Sequence, residues 1–191
     1  MKKYSQLLFS AILILALSCS SPNEPAKKGF TAKEAEQLAS TRALEVWDDP
    51  VLVRMETPED GGGVNTGGRL TRGEKGKWWF FYYSPSVPRG ILIEVIATRT
   101  YLTSITIDNL QSLQEILPHY IDSPDAVKKA EQNGGNKLTK VKTIVCKLLG
   151  EPVWPANNPT KTAWEVTYIR ENGDRTRYYI EAYSGIYLGR G

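Results

Sequence analysis

Cysteine and histidine are nearly absent from this chain: among 191 residues there are two cysteines, Cys19 and Cys146, and a single histidine, His119. Two cysteines cannot make a disulfide framework, and no Cys/His cluster or His-x-x-x-His spacing exists to hold zinc or iron. The lone histidine follows Pro118 in a connector, where a solvated role is expected rather than a base or ligand. Nucleophile contexts are missing too, since neither Gly-x-Ser-x-Gly nor Ser-x-x-Lys occurs. The acidic pairs Asp48-Asp49 and Glu59-Asp60 are adjacent residues in turns, where solubility and capping are their ordinary roles. The expectation is therefore a non-catalytic protein with no metal and no cofactor. Charge of one sign is also scarce, at a formal +3 from 24 basic and 21 acidic residues, which gives no electrostatic footprint for nucleic acid.

The one sustained apolar run is at the start. Lys2 and Lys3 precede Leu7–Leu17, and Ser18-Cys19 follows. The run is shorter than the ~20 residues that span a bilayer, and the pattern reads as a secretory leader. Leu15-Ala16-Leu17-Ser18-Cys19 resembles the lipobox of bacterial lipoproteins, with Ala16 where leucine is more usual. The resemblance implies a leader over 1–18 and a diacylated Cys19, held on an envelope membrane by acyl chains whose burial contributes about 0.8 kcal/mol per methylene. An ordinary secreted protein or an uncleaved anchor are the alternatives. Ser20 is not the aspartate that retains some lipoproteins at an inner membrane, which leans towards the outer one, facing the periplasm or exterior. Removal of Lys2 and Lys3 takes the formal charge to +1. Residues 19–29, rich in Ser, Pro and Lys, read as a flexible tether. Cys146, in the strand-like run Val141–Leu149, reads as a small buried hydrophobe.

The rest reads as a divergent repeat. Thr31-Ala-Lys-Glu34 has capping-box spacing, with Ala35, Leu38, Ala39 and Val46 at helical intervals and a stop by Asp49-Pro50. Ser123-Pro124-Asp125, with Ser123 as N-cap and Pro124 in the first turn, opens a second, shorter helix and Gly134-Gly135 stops it. A β-rich block follows each. Trp79–Tyr83 can be laid on Trp164–Tyr168, and Ile93-Glu94-Val95 on Ile180-Glu181-Ala182. Asn172-Gly173 is a hairpin signal, and a further strand follows Ser184-Gly185 through Ile186 to Leu188; in the first block Tyr101–Ile107 is the last strand. The fold class is α+β, with each unit a helix on an antiparallel meander of three or four strands. The expected divisions are 30–108, a linker helix over 109–121 (Leu110, Leu113, Ile116 and Leu117), and 122–191. Thr57–Lys77, with seven glycines, reads as a loop rather than a phosphate cradle.

Trp164, Gly173, Glu181, Ser184, Gly185 and Ile186 resemble the PepSY module, whose fold is cystatin-like; the first block keeps Trp79 and Glu94 but has Ala97-Thr98-Arg99-Thr100 in place of the Ser-Gly step. The resemblance implies a non-catalytic module of envelope and propeptide proteins, for which inhibition or control of peptidases has been proposed. The partner expected is an envelope protein or peptidase. A small-ligand or glycan-binding lipoprotein and a structural envelope component are the alternatives.

A run of six aromatics, Trp78–Tyr83, offers the candidate surface. Alternation puts three on each face of a strand. With Trp79 aligned on Trp164, the residues Trp79, Phe81 and Tyr83 are expected in the core and Trp78, Phe80 and Tyr82 on the outer face. That outer stripe is either covered by the linker or second unit or serves as a docking face.

Overall fold

The structure, a computed structural model, describes residues 29–59, 76–87, 89–96, 99–105, 114–153 and 161–191. Cys19, the leader, the tether up to residue 28 and most of the glycine-rich segment lie outside the described residues. The architecture is α+β: among the described residues two α-helices lie against one side of an eight-stranded antiparallel sheet.

Helix α1 (Ala32–Leu44) begins as its sequence dictates. Thr31 Oγ1 accepts from Glu34 N at 3.2 Å, and Glu34 Oε2 accepts from Thr31 N at 2.9 Å, the reciprocal capping box. Its buried seam is Ala32, Ala35, Ala39 and Ala43, small residues at helical spacing that let the helix lie close on the sheet. The helix ends at Leu44, before Val46, which is exposed. Four strands follow: β1 (Val51–Glu56), β2 (Lys77–Ser84), β3 (Arg89–Ile96) and β4 (Arg99–Ile105).

The second half has the same order. Helix α2 (Ser123–Gln132) buries Ser123, Ala126, Val127 and Ala130, and Gly134, at φ 109°, releases the chain in the left-handed region that favours glycine. Strands β5 (Val141–Leu149), β6 (Ala163–Arg170), β7 (Arg175–Glu181) and β8 (Tyr187–Arg190) complete it. The strand order is β4-β3-β2-β1-β5-β6-β7-β8, so the first strands of the two halves, β1 and β5, pair at the centre and make one continuous sheet. Helix α1 lies over β2–β4 and α2 over β6 and β7.

One hydrogen bond recurs in both halves. Trp78 Nε1 donates to Phe30 O, just before the N-cap of α1, and Trp164 Nε1 donates to Ile121 O, just before the N-cap of α2, each at 2.9 Å. Trp78 faces Val95 across β3, and Trp164 faces Ile180 across β7. The partner of Trp164 is therefore Trp78, one residue earlier than the alignment on Trp79, and Glu94 and Glu181 do not correspond. The two indoles meet edge to face at 6.4 Å, with Tyr120 against Trp164 at 6.0 Å, so one core is shared by both halves.

That one-residue shift overturns the expected outer stripe. Trp78, Phe80 and Tyr82 are 0 %, 0 % and 2 % exposed and form the core beneath α1, whereas Trp79, Phe81 and Tyr83 are half-buried on the side of the sheet that carries no helix. The linker helix is corrected as well. Leu110 and Leu113 lie outside the described residues, and residues 114–121 are not helical. They run as an extended strap in which Ile116 N donates to Leu52 O at 2.8 Å and Tyr120 is buried. Gly150 permits the crossing, because a Cβ there would stand 1.6 Å from Gln114 O.

The N-terminus of α1 is capped in part by residues at the start of α2. Asp122, rather than Ser123, is the N-cap of α2, and its Oδ1 accepts from Ser123 N at 2.7 Å and also from Lys33 N of α1 at 3.1 Å. Ser123 Oγ accepts from Ala32 N at 2.9 Å. Three of the first N–H groups of α1 thus find side-chain acceptors, two of them on the second half.

Candidate functional site: the helix-free face of the sheet

Strand alternation fixes what this face presents. Side chains of one parity in β2, β3, β6 and β7, and in β1 and β5 beyond the bulges at Val53 and Lys142, go to the helix side, and the other parity faces away. The pairing registers then line up one residue from every strand: Tyr101, Glu94, Trp79, Glu56, Lys147, Glu165, Tyr179 and Gly189, in order from β4 to β8. This lateral row crosses both halves, with Glu56 and Lys147 at the central seam.

The flanking residues pair with the row. Arg54 Nη2 lies 2.6 Å from Glu56, Lys77 Nζ 3.0 Å from Glu94, and Arg177 Nε 3.3 Å from Glu165. Trp79 Nε1 donates to Glu94 Oε1 at 2.7 Å, and Tyr179 Oη donates to Glu165 Oε2 at 3.3 Å. Burial and the nearby Glu165 carboxylate push the Tyr179 phenol above its ordinary range against the pull of Arg177. Two aromatic rings are roofed by cations: Lys77 Nζ sits 5.2 Å from the Trp79 ring and Arg54 Cζ 4.6 Å from that of Phe81.

A shallow cleft of about 330 Å³ opens over the seam, walled by Trp79, Glu56, Lys147 and Glu165. One rim is the chain leaving β1. Thr57 N donates to Cys146 O at 2.9 Å and its Oγ1 accepts from Cys146 N at 3.0 Å, and Glu59 then reaches Arg175 in a forked pair at 2.5 and 2.8 Å. Hydrogen bonding from Arg175 holds the Glu59 carboxyl below the usual range. Apart from Lys147, the charges named on this face are thus tied in pairs, and Trp79, Phe81 and Tyr179 are held by hydrogen bonds or cations.

Of the sequence-selected residues, Trp78, Phe80 and Tyr82 are brought together but in the core, and Cys19 is outside the described residues. Glu181 ends β7, and its carboxylate accepts from the N–H groups of the turn that follows. Burial raises its carboxyl, but the Ser184 hydroxyl and the N–H groups of Ser184 and Tyr183 outweigh this and lower it. His119 is exposed and lies 4.6 Å from the ring of Tyr183. Cys146 is buried. The residues that sequence reasoning missed are Glu56, Lys147 and Glu165, which meet only through strand pairing, and the correct phase of β2. A signal for the phase was present: Lys77 shares parity with Trp79, Phe81 and Tyr83, and a lysine marks the solvent side. Comparison with family models, with curated proteins and with solved structures finds no match to this chain.

Proposed function

We propose that this chain is an envelope lipoprotein, anchored through an acylated Cys19, whose two PepSY-like, cystatin-like units act together as a non-catalytic protein-binding module. The observation that carries the reading is the helix-free face, where Tyr101, Trp79, Phe81 and Tyr179 stand among paired charges on both sides of the central seam. Aromatic and arginine side chains held rigidly on a flat surface are the groups that anchor protein interfaces, because they bury large area at small conformational cost. Paired charges add discrimination: a partner must match their arrangement or leave one of them desolvated and unpaired. A tether and lipid at one end leave this face free to engage a membrane-bound or passing envelope protein, and control of a peptidase follows if the docked surface is an enzyme's.

The test is chemical crosslinking of the lipidated protein in its own membranes, native form beside a Trp79→Ala, Phe81→Ala variant whose folding has been verified. The reading expects an envelope protein crosslinked to the native form and lost from the variant. Equal capture by both forms would place the contact elsewhere and overturn the assignment of the face.

A further inference from the structure

The charges of the central row do not balance, and the imbalance points to what docks there. Glu94, Glu56 and Glu165 each have a cation within ion-pair distance, namely Lys77, Arg54 and Arg177. Lys147 is the fourth cation of this array. It is half-buried at the seam, directly opposite Glu56 on β1 and Glu165 on β6, yet among the described residues no carboxylate lies within 4.0 Å of its ammonium. Both of its neighbours are already committed to arginines. A carboxylate arriving from outside would give this ammonium the charge-assisted hydrogen bond that the other cations of the array already have.

We infer that the partner presents an aspartate or glutamate at the tip of a loop, which enters the cleft beside Trp79 and pairs with Lys147. The inference rests on the docking reading above and narrows it to one residue and one chemistry. A protein loop fits better than a free acid because the cleft is open and Lys147 is the one cation of its described lining without an ion pair, too little to hold a small anion. A loop gains the rest of its contact area from Trp79 and Phe81.

The test uses a displayed library of constrained peptide loops of random sequence, selected on the full-length protein in detergent micelles. Affinities of the selected loops are then measured for the native protein and for Lys147→Met, Lys147→Arg and Trp79→Ala, each verified as folded. The expected result is enrichment of Asp or Glu at one loop position and binding weakened about 10- to 100-fold by Lys147→Met. The same loss is expected when the loop acid is changed to its amide, with no further loss when both changes are combined, and Lys147→Arg should retain binding. Loops that depend on Trp79 but bind Lys147→Met as tightly as native would overturn the acidic-loop inference and leave the docking face intact. If no loop depends on Trp79, the docking face falls and the inference with it. Free glutamate displacing the loops at millimolar concentration through Lys147 would assign the site to a small acid instead.

Discussion

Substituting Ser123 by alanine should loosen a helix 91 residues away. Ser123 Oγ accepts the N–H of Ala32 at 2.9 Å, and both residues are fully buried. Alanine removes the acceptor and leaves a buried donor that water cannot reach, at a cost of about 1–3 kcal/mol. For a domain of this size that lowers Tm by about 2–12 °C. If the amides of Ala32 and Lys33 exchange through local opening of the first turn of α1, their exchange should accelerate about 5- to 150-fold. Thr31 still caps Glu34 N, so the helix survives and the effect concentrates at its first turn. The assay is hydrogen exchange read residue by residue, with calorimetry on the same sample. Faster exchange in α2 with Ala32 and Lys33 unchanged would refute the cross-capping, as would two separate thermal transitions in the native protein, because a shared core of Trp78, Trp164 and Tyr120 demands one.

The phase of β2 gives a paired prediction: Phe80→Ala should cost about 3–5 kcal/mol, whereas Phe81→Ala, on the helix-free face, should lose little beyond its contact with Arg54, about 0.5–1 kcal/mol, as measured by denaturant unfolding. Glu36 supplies a pH dependence. Burial raises its carboxyl above the ordinary value, more than the hydrogen bond from Tyr120 Oη at 3.0 Å and the nearby Lys33 lower it, with Asp122 adding to the rise. The folded state then holds this proton more tightly than the unfolded chain, so the contribution of Glu36 to stability is greatest at acid pH and falls as pH rises from the unfolded carboxyl range through the raised folded value. Glu36→Gln, which preserves an acceptor for Tyr120, should gain stability relative to the native protein on going from about pH 4 to about pH 8 in thermal melts; a constant difference would refute the assignment.

What the sequence disclosed was local. The capping box at Thr31, the start of α2 and the Asn172-Gly173 turn are written in neighbouring residues, and the turn forms as read, with Gly173 at φ 88° and Arg170 N donating to Asp174 O at 2.9 Å. The strap shows where periodicity misleads: Ile116 and Leu117 have helical spacing with Leu113, yet Ile116 spends its N–H on Leu52 O, tying the strap to β1 instead of a helix. Strand β1 was not identified because Val51–Glu56 follows Pro50 closely, and its partners β2 and β5 are distant in sequence. Six aromatics in a row name no face, so the alignment on Trp79 misassigned the core by one residue, and in a strand one residue reverses every side chain. The central row was illegible for a deeper reason: Glu56, Lys147 and Glu165 become neighbours only when β1 pairs with β5 and β5 with β6.

The measurement that tests the account most directly is site-specific photocrosslinking in living cells, with the photoreactive residue placed in turn at Phe81 and Arg177 on the helix-free face and at Ser40 and Lys129 on the helices. The account predicts adducts to one envelope protein from the first pair and none from the second. Adducts from the helix positions alone would contradict it, because the sheet face would then be a bare surface and the docking side would be the one that carries the helices.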